Sequence, residues 1–155
     1  MYERTRELIK ECLRILRQPP LVSIMEWANQ YRVLDTTSAK EVGKFNVERT
    51  PYMIEIYEKI TKGETKQVTL MMAAQLAKSE LIINTILRYA HLDPCPMLIV
   101  QPTDEMARSF SKERIQPAIN NSILHTIIKE PSKKDSGNTV THKMFPGGYI
   151  AFVGA

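Results

Sequence analysis

The order of two apolar runs and two helix-patterned runs in the second half of the chain restricts the fold more than any other feature. "KQVTLMM" (66–72) is strand-like and leads into "SELIINTILRYAHL" (79–92), a helical run too apolar to sit anywhere but in a core. "PMLIVQPT" (96–103) is a second short apolar strand ending at a proline, and "DEMARSFSKERIQPAI" (104–119) opens a further helix with acids in its first turn. Strand, helix, strand, helix at these lengths predicts an α/β fold, in which parallel strands are joined by right-handed crossovers.

Around this unit the pattern is mixed. Residues 2–17 place Leu8, Ile9, Cys12, Leu13, Ile15 and Leu16 at helical spacing, with Arg4, Arg6, Lys10, Arg14 and Arg17 on the remaining face, and Pro19 and Pro20 stop the helix. Such a basic amphipathic helix either docks on a partner or lays its apolar stripe on its own domain, and the second is the ordinary outcome. Ser23 with Glu26 three residues on forms a capping box for a helix through "IMEWANQY", where Trp27 and Tyr31, four apart, pack together. Residues 35–48 are polar and aperiodic and read as an irregular surface segment. "RTPYMIEIYEKI" sets Pro51 in a first turn, with Ile54, Tyr57 and Ile60 at helical intervals. Near the end, "NTVTHKMF" and "YIAFVGA" flank "PGG" and predict a hairpin.

Composition removes several function classes. With 155 residues and 43% hydrophobic content the chain is long enough for a domain with its own core. No window approaches the ~18 uninterrupted apolar residues of a membrane span, and "MYERTRELIKE" carries charges where a signal peptide needs an apolar run. A cytoplasmic protein without a membrane partner is expected. Cys12 and Cys95 have no metal-ligand spacing and read as reduced, buried thiols. Twenty-one Lys and Arg against 17 Asp and Glu give +4, compatible with a polyanionic partner without requiring one.

The junction between the first strand and its helix is the candidate chemistry. A P-loop, G-x-x-x-x-G-K-[ST] after a strand, wraps backbone N–H groups around phosphates at a helix N-terminus, while Lys reaches the outer phosphates and Ser or Thr meets magnesium. Lys78 and Ser79 fit its last two positions, but Met72 and Ala77 stand where the glycines belong. A cation in the first turn of an apolar helix is unfavourable beside the positive end of the dipole unless an anion sits there too. Lys78 therefore either meets a phosphate or snorkels to solvent.

Taken together, "EWANQYRVL", "ERTPYMIEI", "MAAQLAKSE", "IVQPTDEMARSFSKERIQPAI" and "DSGNTVTHKMFPGGYIAFVGA" resemble, in order and spacing, the N-terminal part of the lambda-type large terminase subunit family of tailed phages. The resemblance runs from about Pro20 to Ala155 and makes "MAAQLAKSE" a degenerate Walker A loop, where the family has a pattern like K-S-A-Q-x-G-K-T-E. It implies a RecA-like P-loop NTPase core, of which this chain holds the N-terminal half, with a helical N-terminal segment over 1–34 and a partial ATPase domain over 35–155. It also implies ATP and magnesium as cofactors. Ala73, Ala74, Gln75, Leu76 and Ala77 would cradle the phosphates, Lys78 would meet the β- and γ-phosphates, and Ser79 would bind magnesium. Pro51 and Tyr52 would contact the base, and Gln101 and Thr103 would face DNA or transmit the nucleotide state. The family further implies an ATP-driven motor and endonuclease that works in the host cytoplasm. Its partners would be double-stranded DNA, a small terminase subunit, a portal protein and copies of itself.

This chain departs from that pattern in two ways. Met72 replaces a lysine and Ala77 a glycine, which removes a cation and adds a methyl beside the phosphates. No apolar run followed by Asp-Glu stands after Lys78, because Asp104-Glu105 begins a helix, so the magnesium-holding and water-activating acids of hydrolysis are not in these residues, nor are the nuclease carboxylates. No catalytic residue is expected in this fragment. The alternative function is a non-enzymatic prophage remnant that binds DNA or protein.

Overall fold

The computed structural model describes residues 2–15, 22–35, 42–128 and 138–155. The helix stop at Pro19 and Pro20, the position of Leu16, and residues 36–41 of the irregular segment lie outside them. The element order is α1 (Tyr2–Ile15), α2 (Ile24–Tyr31), β1 (Val33–Leu34), β2 (Gly43–Lys44), α3 (Ile54–Thr61), α4 (Lys78–Leu92), β3 (Pro96–Gln101), α5 (Asp104–Phe110), α6 (Gln116–Asn120), β4 (His142–Phe145) and β5 (Gly148–Gly154). A π-helical turn, Ser111–Ile115, joins α5 to α6, and 3₁₀ turns at Val47–Arg49 and Pro51–Met53 lead into α3.

Local chemistry accounts for most boundaries. Ser23 accepts from the Glu26 amide at 3.1 Å while the Glu26 carboxylate accepts from the Ser23 amide at 2.9 Å, which closes the expected capping box and holds the Glu26 carboxyl below its usual range. Pro51 opens its 3₁₀ turn, where its missing N–H costs nothing. β2, inside the segment expected to be irregular, forms a two-residue antiparallel pair with β1 just before it.

A three-stranded sheet has the order β3-β5-β4, with β3 and β5 parallel and β4 and β5 joined as the predicted hairpin. Gly147 takes φ +89 in its turn. In parallel register, paired residues share a face. Met97, Ile99, Ile150 and Phe152, with Phe145, turn toward the helices, while Leu98, Val100, Tyr149 and Val153, with Met144, stay exposed on the other side. The core gathers α2 (Ile24, Trp27, Ala28), α3 (Tyr57), α4 (Leu81, Ile83, Ile86, Leu87, Ala90), the α5–α6 region (Ala107, Ile115, Ala118, Ile119) and the sheet's helix side. Trp27 and Tyr31 pack at 5.8 Å between ring centroids, as their spacing predicts, and the Trp27 indole donates to His91 Nδ1 at 2.9 Å.

Three expectations are corrected. Residues 66–72 are not a strand, although their composition is that of one. A strand needs a neighbour, and between Val68–Leu70 and the edge of β3 lies an apolar groove of about 560 Å³, lined also by Ile82, Ile86 and Tyr89 of α4. The sheet is small, its antiparallel pair being the hairpin, and the strand leading into the loop is missing from it. The apolar stripe of α1 is open: Leu8, Ile9 and Leu13 are 57%, 53% and 56% exposed, so the helix does not lay that stripe on its own domain. Neither thiol is buried as expected. Both are free, Cys12 being exposed and Cys95 half-buried, where burial and then the Asp93 charge push its pKa up.

Candidate functional site

The loop before α4 has an unusual backbone. Gln75 and Ala77 hold φ of 60 and 57, the positive-φ positions among non-glycine described residues. Ala77, with ψ 18, is the N-cap of α4 and supplies no side-chain hydrogen bond to it, whereas Ser23 caps α2 and Thr103 caps α5. The first-turn N–H groups of α4, like those of α3, therefore lack the side-chain acceptor that α2 and α5 have. Lys78, the first helical residue, folds back so that Nζ donates to the carbonyls of Met72 and Ala73 at 3.0 and 3.2 Å. That contact ties the start of the loop to its end and keeps the ammonium within it. Ala73, Ala74, Gln75 and Ser79 are exposed, while Met72, Leu76 and Ala77 are half-buried.

Two clefts flank the loop. One, of about 500 Å³, runs from Tyr52, Glu55 and Lys59 on the α3 side to Gln67, Met71 and Met72. Pro51 opens the turn that presents Tyr52, itself half exposed, into this space. The other, of about 600 Å³, brings Ser79 beside Gln101, Glu105, Glu113 and Arg114. The structure thus places Tyr52 and Ser79 in two different clefts and joins Ser79 to Gln101 in one of them. Thr103 is placed differently: its hydroxyl accepts from the Met106 amide at 3.2 Å as the cap of α5. Just behind it, Gly154 of β5 donates its amide to Asp104 at 2.9 Å. Among the described residues no group of three or more His, Cys, Asp or Glu side chains could hold a metal ion by itself.

A buried polar network that sequence reasoning missed lies under the loop. Arg32, just past α2 and 1% exposed, forms an ion pair with Glu80 in the first turn of α4 and donates to Asn84 Oδ1 at 2.6 Å. Asn84 in turn donates to the Tyr57 hydroxyl at 2.7 Å. Burial, offset in part by Asn84, pushes the Tyr57 pKa up to about 12, so it stays a neutral hydroxyl. The signal available was Asn84, a polar residue inside the otherwise apolar run "LIINTIL".

Residues 39–155 match the family model described as the phage terminase large subunit gpA, ATPase domain. The chain belongs to that family. Two curated terminase large subunits are similar to it: that of Escherichia phage lambda, 26% identical over 94% of this chain and 22% of the relative, and that of Enterobacteria phage P21, 23% identical over 88% and 21%. The chain spans about a fifth of the length of these relatives. No solved structure matches it. As part of a terminase ATPase domain, the chain has a mixed α/β architecture with a small sheet that includes parallel strands. Among the described residues no helix is long and apolar enough to cross a membrane.

Proposed function

We propose that this terminase segment is the phosphate-binding half of a RecA-like P-loop ATPase core and binds ATP with magnesium through residues 73–79. The observation that carries the reading is the loop itself, in which two left-handed residues curl the backbone ahead of an uncapped helix start and Lys78 reaches across the curl. Amides in that arrangement, with the positive end of the α4 dipole behind them, attract a polyphosphate. Ala73 to Ala77 cradle the phosphates, and Lys78 exchanges its two carbonyl contacts for phosphate oxygens. Ser79, exposed at the second helical position, ligates magnesium together with those oxygens. The base lies in the cleft where Tyr52 offers a ring face, with Pro51 setting the turn. Gln101, on the Ser79 side, senses the phosphates or DNA; Thr103 contributes by fixing the start of α5.

In the full-length protein this core would drive packaging of double-stranded DNA in the host cytoplasm. It would act as a ring on a portal protein, with a small subunit selecting the DNA and an endonuclease cutting it. The open stripe of α1 supports that helix as a protein-docking element.

Isothermal titration of the 155-residue chain with ATP and magnesium tests the site. Weak binding that Lys78→Ala removes is expected. Binding unchanged by Lys78→Ala would end the assignment.

A further inference from the structure

We propose that Arg32 is a positioning residue that holds Glu80 away from the start of α4 and so keeps the anion position there free. The inference rests on the nucleotide reading above. Counting from Ala77 as N-cap, Lys78 and Ser79 are followed by Glu80 at the third helical position. A Glu there ordinarily swings back to accept from the N-cap amide, as Glu26 does at Ser23 in this same chain. At α4 it does not: the Glu80 carboxylate is paired with Arg32, and no side chain caps the helix. A released Glu80 would set a carboxylate against the very amides and the ammonium that the loop offers to phosphate, as competitor and as like charge.

The fixing is directional. Arg32 is buried, its guanidinium lies 5.6 Å from the Phe45 ring centroid, and the same Nη1 that meets Glu80 also meets Asn84 one turn further along α4. One buried guanidinium nitrogen bound to two residues of one helix face ties that face, and the Glu80 carboxylate on it, to the end of α2. The Arg32 Nε has no hydrogen-bond partner, so the arrangement is costly as a source of stability, and an apolar cluster of similar volume serves that purpose better. What the arginine supplies is the direction in which the Glu80 carboxylate points.

The test titrates MgATP, tripolyphosphate and adenosine into the 155-residue chain and its variants, read by amide chemical shifts, which also report whether each variant is folded. Arg32→Met should weaken tripolyphosphate and ATP about tenfold while leaving adenosine unchanged. Adding Glu80→Ala to Arg32→Met should restore phosphate affinity without restoring thermal stability. Loss of fold alone would weaken all three ligands together and would not be reversed by the second substitution. If Arg32→Met does not fold, Arg32→Gln, which keeps a polar side chain but removes the cation that pairs with Glu80, carries the test with the same sign. Native-like tripolyphosphate binding in the Arg32 variants, or a double variant as weak as the single one, overturns the positioning role. Tripolyphosphate binding that is insensitive to Lys78→Ala overturns the nucleotide reading and the inference with it, whereas sensitivity to Lys78 without sensitivity to Arg32 overturns the inference alone.

Discussion

Replacing Ala77 by glycine should stabilise the protein relative to the same replacement three residues earlier, and the size of that difference measures how firmly the loop is held. Ala77 sits at φ 57 and ψ 18, where an L-residue is disfavoured by roughly 1–2 kcal/mol and glycine is not. Glycine also makes the unfolded chain more flexible, an opposing effect of about 0.5–1 kcal/mol. Ala74→Gly carries that unfolded-state effect alone, because Ala74 is exposed and is not among the positive-φ residues. Subtracting one from the other leaves the left-handed strain: Ala74→Gly should lose about 0.5–1 kcal/mol, Ala77→Gly should gain about 0.5–1 kcal/mol, and the two should differ by about 1–2 kcal/mol. Urea unfolding followed by Trp27 fluorescence gives both values. For a chain of 155 residues the difference corresponds to a spread in melting temperature of roughly 2–8 °C. Ala77→Gly should also tighten tripolyphosphate binding, since the methyl leaves the space beside the phosphates. Equal destabilisation by both substitutions would refute the left-handed conformation at Ala77, and with it the phosphate cradle.

Other expectations concern the protein away from the loop backbone. His91 accepts from the Trp27 indole, and burial lowers its pKa below the ordinary 6.5. Its contribution is fully present above that value and is lost as pH falls through the folded-state pKa, so the urea midpoint should drop as pH falls below about 6.5, and a His91→Gln variant should lose that part of the slope. A Cβ at Gly154 would lie 2.3 Å from the Asp104 amide nitrogen and 2.7 Å from the Thr103 carbonyl carbon, both backbone atoms. Gly154→Ala should therefore cost about 1–3 kcal/mol, measured by the same denaturation, and a neutral result would show that β5 does not approach α5 so closely. Incubated with ATP and magnesium, the chain should release no phosphate over many turnovers, because no strand-end acid pair follows Lys78 in its sequence. Steady release abolished by Lys78→Ala would contradict this.

What the sequence disclosed was whatever neighbours in the chain determine. The box of Ser23 and Glu26, the start at Pro51, the contact of Trp27 with Tyr31 and the hairpin at Gly147 all depend on residues within a few positions of one another. Features set by distant partners were not legible. Residues 66–72 have strand composition, yet whether they pair depends on what stands across the groove from Val68 and Leu70. Arg32 has no partner nearby in sequence, and only the fold brings Glu80 and Asn84, 48 and 52 residues away, against it. In the candidate site, Lys78 and Ser79 could be picked out from the pattern, and the extra methyl at Ala77 from the missing glycine. The positive φ of Gln75 had no local signal, since glutamine has no particular liking for that region. Gln101 and Thr103 look alike in "QPT", and only the packing separates one that lines a cleft from one that caps a helix.

The sheet has one dry side and one wet side, although its β3–β5 pair is of the parallel kind that proteins normally bury on both. Leu98 and Val100 meet water at 63% and 56% of their surface, with Tyr149 and Val153 beside them. Such a hydrocarbon plate governs colloidal behaviour: concentrated samples should cloud on warming and on addition of ammonium sulfate, and moderate sodium chloride, which only screens charge, should not clear them. A single lysine in place of Val100, at the middle of the plate, is the economical route to a preparation that stays clear at millimolar strength.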